Sequence, residues 1–363
     1  NLGNIFRDLG ALQEAELSTL KAITLNPDLT KAYHSLSIIR YSDTNEKWKD
    51  KLFSESILKN KNNKDLVNIF FARSNILHKE QNYEESSRYL QLANQLKLDI
   101  HTSNSEIIFN KSSVLLIESH DEAIDKKENR NSYENIFIVG MPRSGSTLLE
   151  SIISMNDDVY DLGEIDYLEQ SFFESKKSKQ EINLCNFYWK KLNNKTKLNI
   201  STNKNLFNYQ FTGIIAQKIP NAKIIHCFRN PLDNILSIYR ANFDNGNYYA
   251  SSLIDATKVY LDQEKIISIY KDQFPQKIYD LNYDLLVTNP DKEIKSLINW
   301  LGWEWNESYL SPHLNKRAVY TASDIQIRSP INSKSIRGWK NYKQILQPSI
   351  EMLTQTAKYR DLL

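Results

Sequence analysis

The chain has 363 residues, 40% of them hydrophobic and 25% charged, with 46 Lys and Arg against 44 Asp and Glu for a net charge of +2. That is the composition of a soluble globular protein with room for more than one core, and its near-balanced charge excludes a global basic field for nucleic acid or an anionic membrane, so neither is expected as a partner. Its two cysteines, Cys185 and Cys227, are too few for a disulfide framework, and no apolar run approaches the ~20 residues that cross a bilayer.

The chain starts at Asn1 inside a helical pattern, which reads as a fragment or processed product of a cytoplasmic protein. The first hundred residues repeat. Gly3, Phe6, Glu14, Ala15 and Ala22 recur at a constant offset of 71 as Ser74, Leu77, Glu85, Ser86 and Ala93, close to twice the ~34-residue tetratricopeptide period. Asn26-Pro27-Asp28 stands where such a repeat ends its second helix. A degenerate middle copy spans about Leu29 to Leu58, with Trp48, Phe53 and Ile57 on its buried side. Residues 1–98 therefore resemble tetratricopeptide repeats, which implies either a concave surface for a protein partner or a helical prop for the next domain. Residues 99–134 read as one further helix and a polar connector, with the charged run Asp121 to Asn131 solvated.

From 135 to 363 the pattern is α/β. Apolar strands at Ile136–Val139, Lys223–Cys227 and Lys277–Leu281 alternate with helices at Thr147–Met155, Asn208–Lys218, Pro231–Tyr239, Tyr249–Asp272 and Asp291–Leu301. Strands of Ile and Val separated by helices predict a parallel sheet covered on both faces, with ligands outside the carboxyl ends of its strands.

Two constellations carry chemistry. The first is Ile136-Phe-Ile-Val-Gly140-Met-Pro-Arg143-Ser144-Gly145-Ser146-Thr147, a strand entering a glycine turn that opens a helix. Successive backbone N–H groups and a helix N-terminus there face an anion. Gly140, Gly145 and Thr147 occupy Walker positions, but Ser146 stands where the triphosphate-binding Lys belongs, so the turn suits a 5′-phosphate with Arg143 as its cation. The second is a strand ending in Arg229, then Asn230 and Pro231 opening a helix that carries Ser237, with Arg229 and Ser237 placed to converge on one anion.

Together these motifs resemble the sulfotransferase family, in particular bacterial tetratricopeptide-linked sulfotransferases and tyrosylprotein sulfotransferases. The resemblance runs from about Asn135 to Leu363 and includes Tyr283-Asp-Leu-Leu, the segment Arg317 to Ile331, and Ser335-Ile-Arg-Gly338-Trp339. It implies a P-loop-like α/β sulfotransferase domain behind an all-α tetratricopeptide-like segment. It also implies 3′-phosphoadenosine 5′-phosphosulfate as donor, no metal, and an acceptor hydroxyl on a peptide tyrosine, a carbohydrate or a small molecule. By the same resemblance, Arg143, Ser144, Gly145, Ser146 and Thr147 bind the 5′-sulfophosphate, and Arg229 and Ser237 the 3′-phosphate. Gly338 and Trp339 close over the 3′-phosphate and adenine, though relatives often read Gly-Arg-Trp where this chain has Arg337-Gly338-Trp339. Glu164, in Gly163-Glu164, is implied as the general base of an in-line transfer. Lys204 stabilises the leaving oxygen, and Ser323 with Arg143 holds the sulfuryl oxygens. Leu206 replaces the proline usual after such a lysine. His226 reads as a core or near-site residue, and Asn242–Tyr249 as either acceptor cleft or packing. A nucleotide kinase would need Lys at 146 and an acid ending a neighbouring strand, where this chain has Arg229; an inert scaffold would have no use for the Glu164, Lys204 and Arg229 set.

Overall fold

The computed structural model describes residues 2–39, 47–121, 133–178, 183–243, 246–315, 317 and 326–361. Helices come first: α1 (Leu2–Asp8), α2 (Leu12–Leu25), α3 (Thr30–Ile38), α4 (Lys47–Phe53), α5 (Asn63–Lys79), α6 (Tyr83–Ile100) and α7 (Ser105–Asp121). Asparagines start α5 and α6. The Asn62 side chain accepts from the Asp65 N–H and Asn82 from the Glu85 N–H, satisfying donors that a helix start leaves unpaired.

The 71-residue offset marks where paired helices touch. In the α1–α2 pair a Cβ at Gly3 would meet Thr19 Oγ1 at 2.4 Å and the Ala15 carbonyl at 3.2 Å. At the matching place in the α5–α6 pair the Ser74 and Ser86 hydroxyls lie 3.1 Å apart. The middle stretch departs from a simple hairpin, because α3 packs on α2 and α5 while α4 packs on α5. Trp48, Leu52 and Ile57 join Tyr33, Leu36, Ile69 and Ile76 in one core, with Phe53 at its edge. Arg73 is fully buried, and its guanidinium donates to the Leu52 and Ser54 carbonyls at 2.9 and 3.1 Å, satisfying groups at the end of α4. α7 turns toward the sheet domain: Ser112 donates to Asp262 at 2.7 Å, and Gln210 donates to the Ile108 carbonyl at 3.0 Å. Most of the charged run anticipated after it, residues 122–132, lies outside the described residues.

The described residues then build a five-stranded parallel sheet in the order β2-β3-β1-β4-β5, from β1 (Glu134–Gly140), β2 (Val159–Asp161), β3 (Ile200–Asn203), β4 (Ala222–Phe228) and β5 (Ile278–Asn282). Between and after them lie α8 (Ser146–Ile153), α9 (Tyr167–Lys177), α10 (Leu184–Asn193), α11 (Thr212–Lys218), α12 (Pro231–Tyr239), α13 (Leu253–Gln273), α14 (Tyr283–Thr288), α15 (Pro290–Leu301) and α16 (Gln347–Thr354). Alternation along β1 sends Ile136 and Ile138 into one core with α8 and α15, and Phe137 and Val139 into another with α9, α10, α11 and α13. Both faces are therefore covered, as the apolar strands require. Burying each such side chain contributes about 1.5–3 kcal/mol.

The three anticipated strands are present, and α12 has the anticipated limits. Strands β2 and β3 were not anticipated. β3 reads Ile-Ser-Thr-Asn, and its buried polar side chains are satisfied by partners far off in sequence: Ser201 donates to Asn135 at 3.2 Å, Thr202 to Glu150 at 3.0 Å, and Asn203 to the Tyr188 hydroxyl at 3.3 Å. No apolar period signals such a strand. The helix expected from Tyr249 is a 3-10 turn over Tyr248–Ser251, and α13 begins only after Ser252, whose side chain caps it. Register carries β1, β3 and β4 upward together, with Phe137 opposite Asn203 and Gly140 opposite Cys227. The loops after β1, β2, β3 and β4 thus leave from one carboxyl edge.

Candidate active site

β1 ends at Gly140 because β4 comes too close for a side chain. A Cβ there, at φ +140°, would lie 2.3 Å from the Cys227 carbonyl. At the far end of the turn Gly145 has φ +95° and caps α8, and a Cβ would meet the Tyr283 ring at 2.1 Å. Between them Arg143 takes the left-handed conformation at φ +67°, a strain on the order of 1 kcal/mol or more for a residue with a side chain. Two contacts from α12 hold it there: Arg143 Nε donates to Ser237 Oγ at 3.1 Å, and Asn234 Nδ2 donates to the Pro142 carbonyl at 2.9 Å. Ser144, Ser146 and Thr147 are buried at the start of α8, where backbone N–H groups lack intrahelical acceptors and the helix dipole is positive.

The strand ending at Arg229 builds the second half. Arg229 is buried, donates through Nη2 to the Ser335 carbonyl at 2.7 Å, and lies 4.8 Å from the centre of the Tyr283 ring. Tyr283 is therefore shared by the two halves, since its ring also fills the space beside Gly145, and its hydroxyl meets Ser335 Oγ at 2.8 Å. Asp233, four residues after Arg229 on α12, sits 3.8 Å from the guanidinium and accepts the backbone N–H of Arg337 at 2.7 Å and of Trp339 at 2.9 Å. Burial raises its pKa, while the two N–H donors and Arg229 pull it back. The segment bearing Gly338 and Trp339 is thereby latched to α12, with Arg337 left-handed at φ +61° and the Trp339 ring in the core beneath. Asp233 did not emerge from the sequence, although its place one helical turn after Arg229 was a signal available there.

Glu164 and Lys204 come together at the ends of β2 and β3. Lys204 Nζ donates to Glu164 Oε1 at 2.6 Å, and the two loops are stitched by the Lys204 N–H on the Gly163 carbonyl at 2.9 Å. The lysine side chain is fully buried while the Glu164 side chain is 51% exposed. The acid is thus open to solvent and the cation lies behind it. Arg317 bonds Asp161, Glu150 at 3.1 Å and Ser151 at 3.0 Å, fixing α8 to the end of β2. Ser323 lies outside the described residues.

Ser237 lies with Arg143 through that 3.1 Å bond, so the second constellation reaches into the first. His226 is a core residue: its Nδ1 is 2.8 Å from Asp280, its ring stacks on Phe228, and burial lowers its pKa. Tyr249 is fully buried in the core beside α12, so that end of the aromatic segment is packing; positions 244–245 lie outside the described residues.

The chemistry of this set fits an anion. Ser144 Oγ and Arg229 Nε are buried without hydrogen-bond partners among the described residues. Buried donors without acceptors are matched by phosphate oxygens.

Residues 169–307 match the family model described as "Sulfotransferase family". An uncharacterized protein of Aquifex aeolicus (strain VF5) is 26% identical over 384 residues, covering 98% of this chain and 50% of that protein, so the chain spans about half the length of this curated relative. Similar solved structures include the sulfotransferase domain from the curacin biosynthetic pathway, at 18% identity over 61% of this chain and 98% of that one with a TM-score of 0.43. The sulfotransferase domain of the Synechococcus PCC 7002 olefin synthase is 19% identical, covers 62% of this chain and 98% of its own, and has a TM-score of 0.45. A mouse sulfotransferase complexed with PAP is 16% identical, covering 63% and 88%, with a TM-score of 0.41. The matched stretch contains Lys204, Arg229, Asp233 and Ser237, and it is this part of the α/β domain that is similar to the sulfotransferase family.

Proposed function

We propose that the α/β domain moves a sulfuryl group from 3′-phosphoadenosine 5′-phosphosulfate to an acceptor hydroxyl on a peptide tyrosine, a carbohydrate or a small molecule. The observation that carries this reading is the Lys204–Glu164 pair, 2.6 Å apart, at the same sheet edge as the glycine turn. A proton acceptor and a cation then address neighbouring oxygens.

The turn at 143–147 holds the 5′-phosphate through backbone N–H groups and the Ser144 hydroxyl. Arg229 and Ser237, walled by Tyr283 and the 335–339 segment, hold the 3′-phosphate. Ser146 leaves no ammonium in the turn for a β,γ-phosphate pair, which disfavours a triphosphate. The donor, when bound, supplies the sulfuryl group and a phosphate leaving group. Glu164 takes the proton from the acceptor hydroxyl as the new oxygen–sulfur bond forms and the bridging oxygen–sulfur bond breaks. Lys204 donates to the oxygen that leaves, and Arg143 with Ser323 stabilises charge on the sulfuryl oxygens. Positioning and charge stabilisation supply most of the acceleration, as in phosphoryl transfer.

Incubation with sulfate-labelled donor and a panel of tyrosine peptides, glycans and phenols reads the activity. Glu164→Gln is expected to lower transfer about 10²–10⁴-fold with affinity for adenosine 3′,5′-bisphosphate nearly intact. Arg229→Ala is expected to weaken that affinity at least tenfold or so. Unchanged bisphosphate binding in Arg229→Ala would overturn the donor-site assignment.

A further inference from the structure

We propose that the helical repeats position the donor site, with His78 as the positioning residue; this rests on the reading of Arg229 and the 335–339 segment as the 3′-phosphate site.

His78 lies in the last turn of α5, between two groups of the α/β domain. Its Nε2 is 3.0 Å from Arg240 Nη1 and its Nδ1 is 2.8 Å from the Tyr342 hydroxyl. A guanidinium only donates, so Nε2 accepts and the ring proton sits on Nδ1, pointing at Tyr342. Tyr342 passes its own proton to Ser86 Oγ at 2.9 Å, and Ser86 donates to the Ser74 carbonyl at 2.9 Å. Each of these bonds has one donor and one acceptor, and the direction is set by the arginine. Tyr342 and Ser86 are buried, and Tyr83 packs edge-on against both the His78 and Tyr342 rings with centroids 5.6 Å away.

Arg240 and Tyr342 are the far ends of the two elements that wall the donor site. Arg240 caps the C-terminus of α12, whose Asp233 latches Arg337 and Trp339. Tyr342 ends the 3-10 turn that begins at Gly338. The helix and the turn are thus hydrogen-bonded together directly at Asp233 and again through a histidine of the N-terminal helices, beside the Arg240 guanidinium 5.5 Å from the centre of the Tyr342 ring. Asn94 donating to the Tyr239 carbonyl at 2.9 Å, and Lys97 to the Phe243 carbonyl at 2.6 Å, seat α6 on the same helix end. Without the histidine tie the turn keeps Asp233, its buried rings and the Arg240 guanidinium over the Tyr342 ring, but loses the hydrogen-bonded link that sets the register of Ser335 and Trp339 with Arg229. The small residues at the repeat's crossing point therefore have a second use here, since Ser86 is both the contact of α5 with α6 and the acceptor for Tyr342.

The test uses the whole chain and two nucleotides, adenosine 3′,5′-bisphosphate and adenosine 5′-phosphosulfate, which lacks the 3′-phosphate. Tyr342→Phe keeps the ring and removes the hydroxyl; His78→Leu removes the bridge; His78→Gln restores a donor and an acceptor. We expect Tyr342→Phe and His78→Leu to weaken bisphosphate binding and raise the donor KM about tenfold, the effect of one lost buried hydrogen bond. Turnover at saturating donor and affinity for adenosine 5′-phosphosulfate should change less than about twofold, and His78→Gln should recover most of the loss. If His78→Leu fails to fold, Tyr342→Phe decides the question. Variants that keep full 3′-phosphate selectivity, or that lose both nucleotides equally, overturn the positioning role while leaving the functional reading intact. A wild-type chain with no preference for the 3′-phosphorylated nucleotide overturns both.

Discussion

At position 145 there is no room for a methyl group. Its Cβ would enter the Tyr283 ring at 2.1 Å with φ at +95°, and that ring also supports Arg229. Gly145→Ala is therefore expected to cost about 2–3 kcal/mol of stability, from left-handed strain and displacement of an aromatic, and to weaken bisphosphate binding with it. Gly163 is the control: its φ is +66° but nothing lies within 4 Å of a Cβ. Gly163→Ala should cost only the backbone strain, about 1 kcal/mol. Thermal unfolding of the two variants checks the contrast, and equal losses would refute it. The glycines of the turn were readable as a phosphate cradle from their spacing alone, whereas the reason for Gly145, a tyrosine 138 positions away, was not.

Helix α12 is the element on which the site converges. It begins where the anticipated Pro231 starts it, with the Asn230 side chain accepting from Leu232 and Asp233 N–H groups. One face carries Asn234 and Ser237 to the first loop, and Asp233 to the 337–339 segment. Removing the Asp233 carboxylate leaves the buried Trp339 N–H and the part-buried Arg337 N–H unpaired and takes away the acid 3.8 Å from Arg229. Asp233→Ala should destabilise by about 3 kcal/mol and weaken bisphosphate binding, with Asp233→Asn in between. Denaturant unfolding and nucleotide titration read both; an Asp233→Ala protein as stable as the parent would show that the latch carries no weight. Strand β3 shows the opposite case at this scale. Its polar Ser201, Thr202 and Asn203 read as a loop until Asn135, Glu150 and Tyr188 are brought beside them.

Across the whole molecule the N-terminal helices and the sheet domain share buried polar groups, as His78 does with Arg240 and Tyr342, and three histidines make stability depend on pH. Burial holds His78 at about 3 and His34 at about 4, and lowers His226 as well, each assisted by nearby cations. In the unfolded chain these groups return to about 6.5. Between the folded and unfolded values the unfolded state binds protons that the folded state does not, so stability rises with pH up to about 6.5 and is lost below it. From pH 7 to 5.5, above the carboxylate range, the loss should be about 1 kcal/mol each for His78 and His34, with His226 adding in the same direction. The unfolding midpoint should fall over that window, less steeply in His78→Gln; a midpoint that does not move would contradict the burial of all three. Sequence by itself determined the glycine turn, the strand–helix alternation from Tyr133 onward, the limits of α12 and the small-residue repeat. Each of these rests on backbone freedom, capping or hydrophobic period within some fifteen residues. Only the tertiary structure decided the polar strand β3, the Asp233 latch, the meeting of Glu164 with Lys204, and the bond from His78 to a tyrosine 264 positions on. A polar side chain carries no sign of its partner in its local pattern; which acceptor it finds depends on how separately formed surfaces pack.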